Sequence, residues 1–469
     1  MGRLRLIVPA GAALGIMMLA LFADGPERAM HSTDVAARPA QMWTIEGVGR
    51  LFGIGVTGTN DLWAVGSTPG KGGYRLGSGI PVAIPAEGAI THWDGTTWKL
   101  VASINVGEGA VRHELWDVAG ASSDDVWAVG KYEDKNWKSS TLVAHWDGTE
   151  WKVIPSPNVG AGESELTGVA ALGSNDVWAV GSASKGPLVI HWDGEQWEVV
   201  PVPESRGKLN KIVAITARDM WAVGSSGGDT LTMHWDGAVW ERIASPNIRS
   251  ASLSDLVGIL GPGNEELGNI LEGVSAVASD DVWAVGYATD NWPGNRLPFE
   301  WPIVMHWDGR TWSLITQPDS KMAYKVSDDE IAYQVQSSLH AVADRASHDV
   351  WAVGSWNGMW PVEVTVVHWD GTEWIAIPCP ASGAQNLGQI RVLTDIVIAG
   401  NDVWAVGVGM AGEDEGSQSR GFVLRPGNAP CATPQPTVPP SVQTVPTPVQ
   451  TVYGPVQTIP VAVPSIGHR

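Results

Sequence analysis

The chain has 469 residues, with 50 acidic and 29 basic side chains and a formal net charge of −21. This charge argues against nucleic acid or an anionic lipid surface as a partner, because both require a basic footprint and no block of Lys or Arg provides one. Twenty-six Trp accompany only four Phe, and this excess comes from a Trp-rich repeat that occupies most of the chain.

An apolar segment precedes the repeat. Arg3 and Arg5 stand before a run of apolar and small residues from Leu6 to Ala23, which is the pattern of a secretory signal peptide. We predict that residues 1–23 are a signal peptide or, if they are not cleaved, a membrane anchor, and that residues 24–41 are a linker. Either alternative places the rest of the chain outside the cytoplasm, secreted or anchored to the membrane by this segment.

The repeat unit is represented by residues 166–203, LTGVAALGSNDVWAVGSASKGPLVIHWDGEQWEVVPVP. Four apolar segments of period two alternate with Gly, Asn, Asp and Pro, which predicts four short antiparallel strands, named a to d here. The signature D-[VLM]-W-A-V-G of strand b occurs seven times, and H-W-D-G-x-x-W, which joins strands c and d, occurs six times. A single four-stranded sheet cannot bury both faces, so the sequence predicts an all-β fold, a seven-bladed β-propeller of four-stranded antiparallel blades.

The seventh copy of the repeat lacks its fourth strand. It has no H-W-D-G-x-x-W, whereas residues 42–46, which precede strand a of the first copy, have the pattern of a strand d. We predict that this N-terminal strand pairs within the last blade and closes the ring, which removes two exposed sheet edges. The propeller is then expected to cover residues 42–432.

The chain ends in a segment of different composition. Residues 433–469 are rich in Pro, Thr, Val and Gln, and they have no periodic apolar face, so we predict an extended, disordered tail. Cys379 and Cys431 are the two cysteines of the chain, and they flank the seventh blade. In an exported protein this arrangement predicts a disulfide between them.

The His of the second signature invites a metal interpretation. The six positions are His92, His145, His191, His234, His306 and His368. A residue that every copy contains has a structural role in the blade, whereas a metal site needs several ligands that converge on one point. We therefore predict a hydrogen bond inside each blade for these His, turn capping for the repeated Asp, and neither a metal site nor a cofactor. No catalytic motif of recognisable spacing occurs, so no catalytic residue is assigned.

The long insertions fall between strands b and c or between strand d and the next strand a. They cover residues 67–89, 131–141, 250–269, 289–302, 317–337, 355–363 and 409–419. Because strand directions alternate, they emerge on one face, the long-loop face, while the opposite turn face keeps short turns, and function in such a scaffold usually resides in the loops. Five Trp in these insertions are predicted ligand-binding residues: Trp137, Trp292, Trp301, Trp356 and Trp360. The alternative is that they fold down over the blades as lids.

The central channel, lined by strand a, is a second candidate site. Repeat-equivalent positions there hold residues that differ between blades: Trp116, Asp117, Lys211, Glu272, His340 and Asp395. Their variety predicts either a ligand site or a water-filled channel.

The order L-x-x-V, D-V-W-A-V-G and an Asp-Gly hairpin followed by Trp resembles the repeats of bacterial Asp-box (sialidase-type), photosystem-assembly-factor-type and, more loosely, kelch-like propellers. The resemblance covers residues 42–427 and implies the fold, while such relatives include glycosidases, lyases, assembly factors and binding proteins. Five residues separate Asp from Trp in an Asp-box, whereas Asp94 and Trp98 are four apart, so no catalytic residue is carried over.

Three functions are compatible with these patterns. The first is an exported propeller that binds a protein or a polysaccharide at the cell envelope through its long-loop face. The second is a carbohydrate-active hydrolase or lyase with an acidic site at the channel mouth, which requires two carboxylates about 5 to 10 Å apart. The third is a purely structural surface protein whose tail is the adhesive part.

Overall fold

The structure, a computed structural model, describes residues 41–69, 73–75, 81–83, 87–107, 109–249, 267–290, 300–315, 337–356, 363–377, 390–410 and 419–425. The chain divides into two units, Met1–Pro430, which holds every described strand, and Cys431–Arg469, which lies outside the described residues. The predicted signal peptide and tail also lie outside them, as do Cys379 and Cys431, whose disulfide stays a prediction. In the part of the chain described, no helix is long and apolar enough to cross a membrane.

All regular elements of the described residues are strands. In chain order they are β1 (Gln41–Thr44), β2 (Arg50–Gly58), β3 (Asp61–Ser67), β4 (Gly73–Arg75), β5 (Pro81–Ala83), β6 (Gly88–Trp93), β7 (Trp98–Ile104), β8 (Ala110–Ser122), β9 (Asp125–Asp134), β10 (Ser139–Trp146), β11 (Trp151–Val153), β12 (Ser164–Gly173), β13 (Asp176–Ala183), β14 (Gly186–Trp192), β15 (Trp197–Val199), β16 (Lys208–Thr216), β17 (Asp219–Ser226), β18 (Asp229–Trp235), β19 (Trp240–Ile243), β20 (Leu267–Ala278), β21 (Asp281–Asp290), β22 (Glu300–Trp307), β23 (Trp312–Leu314), β24 (Ser337–Ala346), β25 (Asp349–Trp356), β26 (Glu363–Trp369), β27 (Trp374–Ala376), β28 (Ile390–Ala399), β29 (Asp402–Met410) and β30 (Ser419–Arg425).

These strands form seven four-stranded antiparallel sheets and one two-stranded hairpin, β4-β5. The sheets, named blades 1 to 7 with strands a to d, are β2-β3-β6-β7, β8-β9-β10-β11, β12-β13-β14-β15, β16-β17-β18-β19, β20-β21-β22-β23, β24-β25-β26-β27 and β28-β29-β30-β1. The predicted fold, a seven-bladed β-propeller, is confirmed.

The last blade is completed by the first strand of the chain. β1 pairs antiparallel with β30, so that Trp43 lies opposite Val423. The N-terminal strand therefore supplies strand d of blade 7, as the sequence predicts, and the ring is closed by hydrogen bonds between the two ends of the propeller.

The hydrophobic core is divided among the seven contacts between neighbouring blades. Strand b lies in the middle of each blade, and in β13 all five residues after Asp176 are buried because both faces of the sheet are covered. Trp127 of blade 2 shows the recurring contact, since its ring centroid lies 5.1 Å from that of Trp192 and 5.5 Å from that of Trp197 in blade 3. The repeated Trp residues are thus the wedges that hold adjacent blades together.

Strand a has an irregularity at the same place in every blade. After its leading Leu the register with strand b shifts by one residue, for example between Leu166 and Gly168 in blade 3, which makes Thr167 the extra residue of a β-bulge. The bulge brings strand a so close to strand b that a Cβ on Gly181 would overlap the carbonyl oxygen of Glu165. This close approach explains the Gly that ends D-[VLM]-W-A-V-G.

Candidate functional site

On the turn face, six blades contain the same polar group. The His Nε2 lies 2.6 to 2.9 Å from the Asp Oδ1 of D-[VLM]-W-A-V-G, and the imidazole packs on the Trp of that signature with ring centroids 4.0 to 4.6 Å apart. The hydrogen bond predicted inside each blade is confirmed. Among the described residues no group of three or more His, Cys, Asp or Glu is arranged to hold a metal ion.

The two repeated Asp have different roles. The Asp of H-W-D-G caps its turn as predicted, and Asp193 Oδ1 accepts the N–H groups of Glu195 and Gln196 at 2.8 and 2.9 Å. For the Asp of strand b, turn capping is wrong. That carboxylate binds the His and, in four blades, also accepts the Trp Nε1–H.

Blade 7 replaces the His with Arg425. Its guanidinium lies 5.2 Å from the Trp404 ring centroid, and its Nη1 is 3.4 Å from Asp402 Oδ2. Arg425 therefore combines the stacking contact and the carboxylate contact that His makes in the other blades. The sequence pattern missed this replacement because Arg425 is not followed by W-D-G.

The long-loop face is uneven, because blades 2 and 5 extend further than their neighbours. In blade 2 strand a begins five residues before its leading Leu115, and in blade 5 it begins four residues before Leu271. In blades 3 and 4 the corresponding extensions are two residues and one. The predicted insertion 131–141 is largely sheet, since β9 continues to Asp134 and β10 starts at Ser139.

The bulge residues of strand a surround the channel near this face, and three of them connect blades. Thr167 Oγ1 donates to the Leu209 carbonyl at 2.7 Å, which joins blade 3 to blade 4. Two further bonds of this kind are Asn210 Nδ2 to Leu271 O at 2.7 Å and Thr394 Oγ1 to Leu51 O at 3.0 Å. The four remaining bulge residues are Phe52, Trp116, Glu272 and His340.

Asp117, Lys211 and Asp395, here called the clasp, come from strands a of blades 2, 4 and 7. Lys211 Nζ lies 2.8 Å from Asp117 Oδ1 and 2.9 Å from Asp395 Oδ2. Because these blades are not neighbours in the ring, the Lys211 side chain reaches across the channel to bind both carboxylates. The structure thus brings together three of the six predicted channel residues.

Both carboxylates of the clasp also bind the backbone. Asp117 Oδ2 accepts the N–H of Val169 in blade 3 at 2.8 Å, and Asp395 Oδ2 accepts the N–H of Ile54 in blade 1 at 3.1 Å. The other oxygen of each carboxylate accepts the N–H of the residue that follows it. With these bonds the two Asp hold neighbouring blades in register, and their oxygens are already occupied.

The charges of the clasp depend on one another. Burial raises the pKa of Asp117, the Lys211 ammonium lowers it, and the Asp395 carboxylate raises it again, so that it lies above its ordinary value. Burial lowers the pKa of Lys211, but the two carboxylates outweigh this effect and raise it above its ordinary value. The ammonium therefore stays charged between two buried acids.

A second charged group occupies the mouth between blades 2 and 3. Lys131 Nζ lies 3.0 Å from Glu133 Oε1 and 3.7 Å from Glu165 Oε2 of blade 3, and it is 5.0 Å from the Trp116 ring centroid. On β8, Arg112 Nη2 lies 2.6 Å from Oε1 of the buried Glu114, two residues further along the strand. These cations and acids form ion pairs with one another, and Lys131 already covers the Trp116 ring.

The mouth between blades 5 and 6 differs, because Glu272, Tyr287 and His340 converge there and form no ion pair with one another or with the other described residues. Glu272 and His340 are the bulge residues of adjacent blades, and the Tyr287 ring meets the His340 ring edge-on with centroids 6.3 Å apart. His340 Nε2 lies 3.2 Å from the hydroxyl of Ser338 and 3.3 Å from that of Ser355. These two Ser are buried and 2.9 Å apart, so they fix the orientation of the imidazole.

Burial shifts the titration of all three groups at this mouth. It lowers the pKa of His340 to about 4. The pKa of the Glu272 carboxyl is raised by burial, lowered by Lys208 and raised by Glu300, with a net increase. The pKa of Tyr287 is raised by burial and then by the two Glu. Neutral His340 and Tyr287 therefore stand beside Glu272 at neutral pH.

The predicted loop aromatics do not form one set. Trp137 lies at the tip of the blade 2 hairpin, 42% exposed and with a φ of 67°. Trp301 belongs to β22 and packs against the core between blades 4 and 5, while Trp356 is the last residue of β25. Trp292 and Trp360 lie outside the described residues, so their part in ligand binding stays a prediction.

Sequence reasoning missed Phe52, Tyr287, Ser338 and Ser355 as residues of the channel mouth. Phe52 occupies the same bulge position as Trp116 and Glu272, so alignment of the seven leading Leu residues is the signal that identifies it. Tyr287 and Ser355 both follow the Gly of D-V-W-A-V-G, and their place beside strand a is clear only once the bulge is known.

The fold and this site define a closed seven-bladed β-propeller whose turn face repeats and whose channel mouth varies from blade to blade. No family model matches the chain, and no curated protein does. Among solved structures it is similar to YCF48 bound to D1 peptide, with 12% identity, coverage of 83% of this chain and 96% of that chain, and a TM-score of 0.47.

The chain is also similar to two further solved structures. The GH74 xyloglucanase from Xanthomonas campestris has 14% identity, coverage of 81% of this chain and 55% of that chain, and a TM-score of 0.48. The BP39L lectin from Burkholderia pseudomallei has 12% identity, coverage of 83% and 99%, and a TM-score of 0.44. At these values the likeness concerns the propeller alone, and function has to be inferred from the residues of this chain.

Proposed function

We propose that the protein is an exported binding module that recognises a polysaccharide or a protein at the cell envelope through its long-loop face. One observation carries this proposal. Equivalent positions repeat the same His, Asp and Trp on the turn face, whereas at the channel mouth they hold Trp116, Glu272 and His340 in different blades. Side chains that differ between equivalent positions of a repeat are not needed for the blade structure, and such positions are typical of ligand binding.

Export is proposed from the sequence. The basic residues and the apolar run at the N-terminus are those of a signal peptide or a membrane anchor, and both place the propeller outside the cytoplasm. Fractionation of cells that express the full chain tests this point, together with N-terminal sequencing of the mature protein. Recovery of the uncleaved chain from the cytoplasm would contradict export.

A binding role fits the clasp better than the hydrolase or lyase alternative does. Asp117 and Asp395 face each other across the channel, but Lys211 and backbone N–H groups already occupy their oxygens. A general acid and a general base need oxygens that can reach the substrate. The clasp is therefore assigned to the scaffold, and the ligand to the mouth above it.

The proposal is tested by comparing variants on the two faces. The full chain is applied to a glycan and polysaccharide array and to envelope extracts, together with Trp137→Ala and the Trp292→Ala, Trp356→Ala double variant. Glu195→Ala, in a turn on the opposite face, is the matched control. We expect binding that the long-loop variants weaken and the control retains. Binding that only Glu195→Ala weakens would move the site to the turn face and contradict the proposal.

A further inference from the structure

The mouth between blades 5 and 6 contains hydrogen-bonding groups that make no hydrogen bond within the described part of the scaffold. The side chains of three bulge residues, Thr167, Asn210 and Thr394, each donate a hydrogen bond to the next blade. The acceptor is the carbonyl of the leading Leu of that blade. Glu272 has the same position but, when ionised, no hydrogen to donate. Neither Glu272 nor the Tyr287 hydroxyl forms a hydrogen bond with any part of the chain that the structure describes.

The imidazole of His340 has a fixed orientation at the mouth between blades 5 and 6. The buried hydroxyls of Ser338 and Ser355 both contact its Nε2, at 3.2 and 3.3 Å. The Nδ1 at the other side of the ring makes no hydrogen bond to the described residues. Because burial keeps the imidazole neutral, Nε2 and Nδ1 divide one donor and one acceptor between them.

The three groups together favour one class of ligand. A carboxyl group, a phenol and a neutral imidazole offer both donors and acceptors, which suits the adjacent hydroxyl groups of a sugar ring. An anionic sugar is disfavoured, because Glu272 and the clasp, with two carboxylates for one ammonium, make the channel mouth negative. The partly apolar Tyr287 ring adds a surface against which a sugar can pack.

We propose that Glu272, Tyr287 and His340 form a subsite that binds one neutral sugar unit at the channel mouth between blades 5 and 6. This inference rests on the proposed function. Of the two partners proposed there, a polysaccharide or a protein, it selects the polysaccharide. Because Lys211 crosses the channel at the clasp, the sugar enters from the long-loop face and stops there.

Titration calorimetry of the full chain against neutral, uronate-containing and amine-bearing oligosaccharides tests the subsite. Tyr287→Phe removes only a hydroxyl, and we expect affinity for the neutral ligand to fall about tenfold, the effect of one lost hydrogen bond. Glu272→Ala is expected to lower it at least as far, and Glu272→Gln, which keeps two hydrogen-bonding atoms, is expected to lower it less. Tyr132→Phe, on blade 2, is the matched control and should bind normally.

Each other result overturns the subsite in a way that can be told apart from failure of the proposed function. Neutral-sugar binding that survives Tyr287→Phe and Glu272→Ala but is lost in Trp137→Ala would leave the long-loop face as the binding face and remove this subsite. Preference for uronate-containing or amine-bearing oligosaccharides would contradict the neutral class. If no oligosaccharide binds, the subsite is wrong, and the protein alternative of the proposed function is then decided by the comparison of the two faces. Melting temperatures of the variants separate lost binding from lost folding.

Discussion

Asp344 is a half-buried acid that blade 6 alone has at its position in strand a. It faces blade 5, where the Ser275 hydroxyl binds its carboxyl, and its Oδ2 has no partner among the described residues. Burial, with a further contribution from Asp281, raises the pKa of Asp344 to about 6. The equivalent residues of the other blades are Val56, Gly120, Ala171, Ala214, Ala276 and Ile398.

Replacement of Asp344 by Asn is expected to stabilise the protein more at alkaline than at acidic pH. The folded state keeps the Asp344 proton up to about pH 6, whereas the unfolded chain releases it near 3.8, so the native protein loses stability as pH rises between these values. The gain in free energy of unfolding should approach about 3 kcal/mol at pH 8 and fall to about 0.6 kcal/mol at pH 4. Urea unfolding of both proteins across this range measures it.

The matched control for Asp344→Asn is Asp193→Asn. Backbone N–H groups lower the pKa of Asp193, so its contribution to stability is present at neutral pH and is lost as pH falls. The two substitutions should therefore have opposite pH dependence. A gain from Asp344→Asn that is equal at pH 4 and pH 8 would show that packing, and not titration, explains it.

Lys211→Met is expected to destabilise the protein by about 3 to 5 kcal/mol at neutral pH, because it leaves two buried carboxylates without their cation. The loss should shrink below about pH 6, because burial raises the pKa of Asp117 to about 6 and protonation of Asp117 removes its repulsion of the neighbouring carboxylate. Guanidinium unfolding at both pH values measures it, with the exposed Lys185→Met as a control expected within about 0.5 kcal/mol of the parent. A loss independent of pH would mean that the clasp contributes through packing alone.

Within each blade, the bulge of strand a depends on the Gly that ends the signature of strand b, because the two backbones approach closely there. A Cβ at Gly181 would overlap the Glu165 carbonyl oxygen, whereas a Cβ at Gly173, at the end of the same strand a, would meet nothing within 4 Å. Gly181→Ala is therefore expected to cost about 3 kcal/mol or more through overpacking, and Gly173→Ala to change stability by less than about 0.5 kcal/mol. Thermal unfolding of the pair checks this, and equal stability of the two variants would mean that the bulge relaxes freely.

The blade itself could be predicted because each of its features repeats. Seven copies of one pattern show which residues belong to the scaffold, and the missing strand d of blade 7 identifies its replacement near Trp43. The bulge could not be predicted, since period two continues through it in the sequence while the pairing shifts by one residue. The same limitation made residues 131–141 look like a loop, although Tyr132 and Ser140 pair in an extended hairpin.

The sequence predicted which residues line the channel mouth, but it could not predict which of them contact one another. Variation at equivalent positions identified Lys211, Asp117 and Asp395, yet these residues are 94 and 184 positions apart and meet only when the ring is closed. No local spacing encodes such a contact. For Trp301 the sequence indicated a loop aromatic, whereas β22 extends through it and packs it on the core.

The propeller is held as a ring by contacts between residues at its two ends. Trp43 of β1 stacks on Trp404 of blade 7 with ring centroids 5.3 Å apart, and it meets Trp93 of blade 1 edge-on at 5.5 Å. Arg425 lies over both Trp43 and Trp404, and its guanidinium also binds Gln41. β1 is covalently linked to blade 1 through residues 45–49, so it joins blade 1 to the rest of blade 7 by its pairing with β30 and by these ring contacts.

Trp43→Ala is expected to open the ring locally before the molecule unfolds. Loss of this half-buried indole should cost about 3 kcal/mol, and the cost falls on the β1–β30 pairing because four residues form the closing strand. Hydrogen–deuterium exchange should be faster in β30 while β14 of blade 3 keeps its protection. Trp197→Ala, which removes a Trp from the contact between blades 2 and 3, should leave β30 protected. If β30 and β14 instead lose protection together in Trp43→Ala, the propeller opens as one cooperative unit, and the N-terminal strand contributes to overall stability without acting as a separate closure.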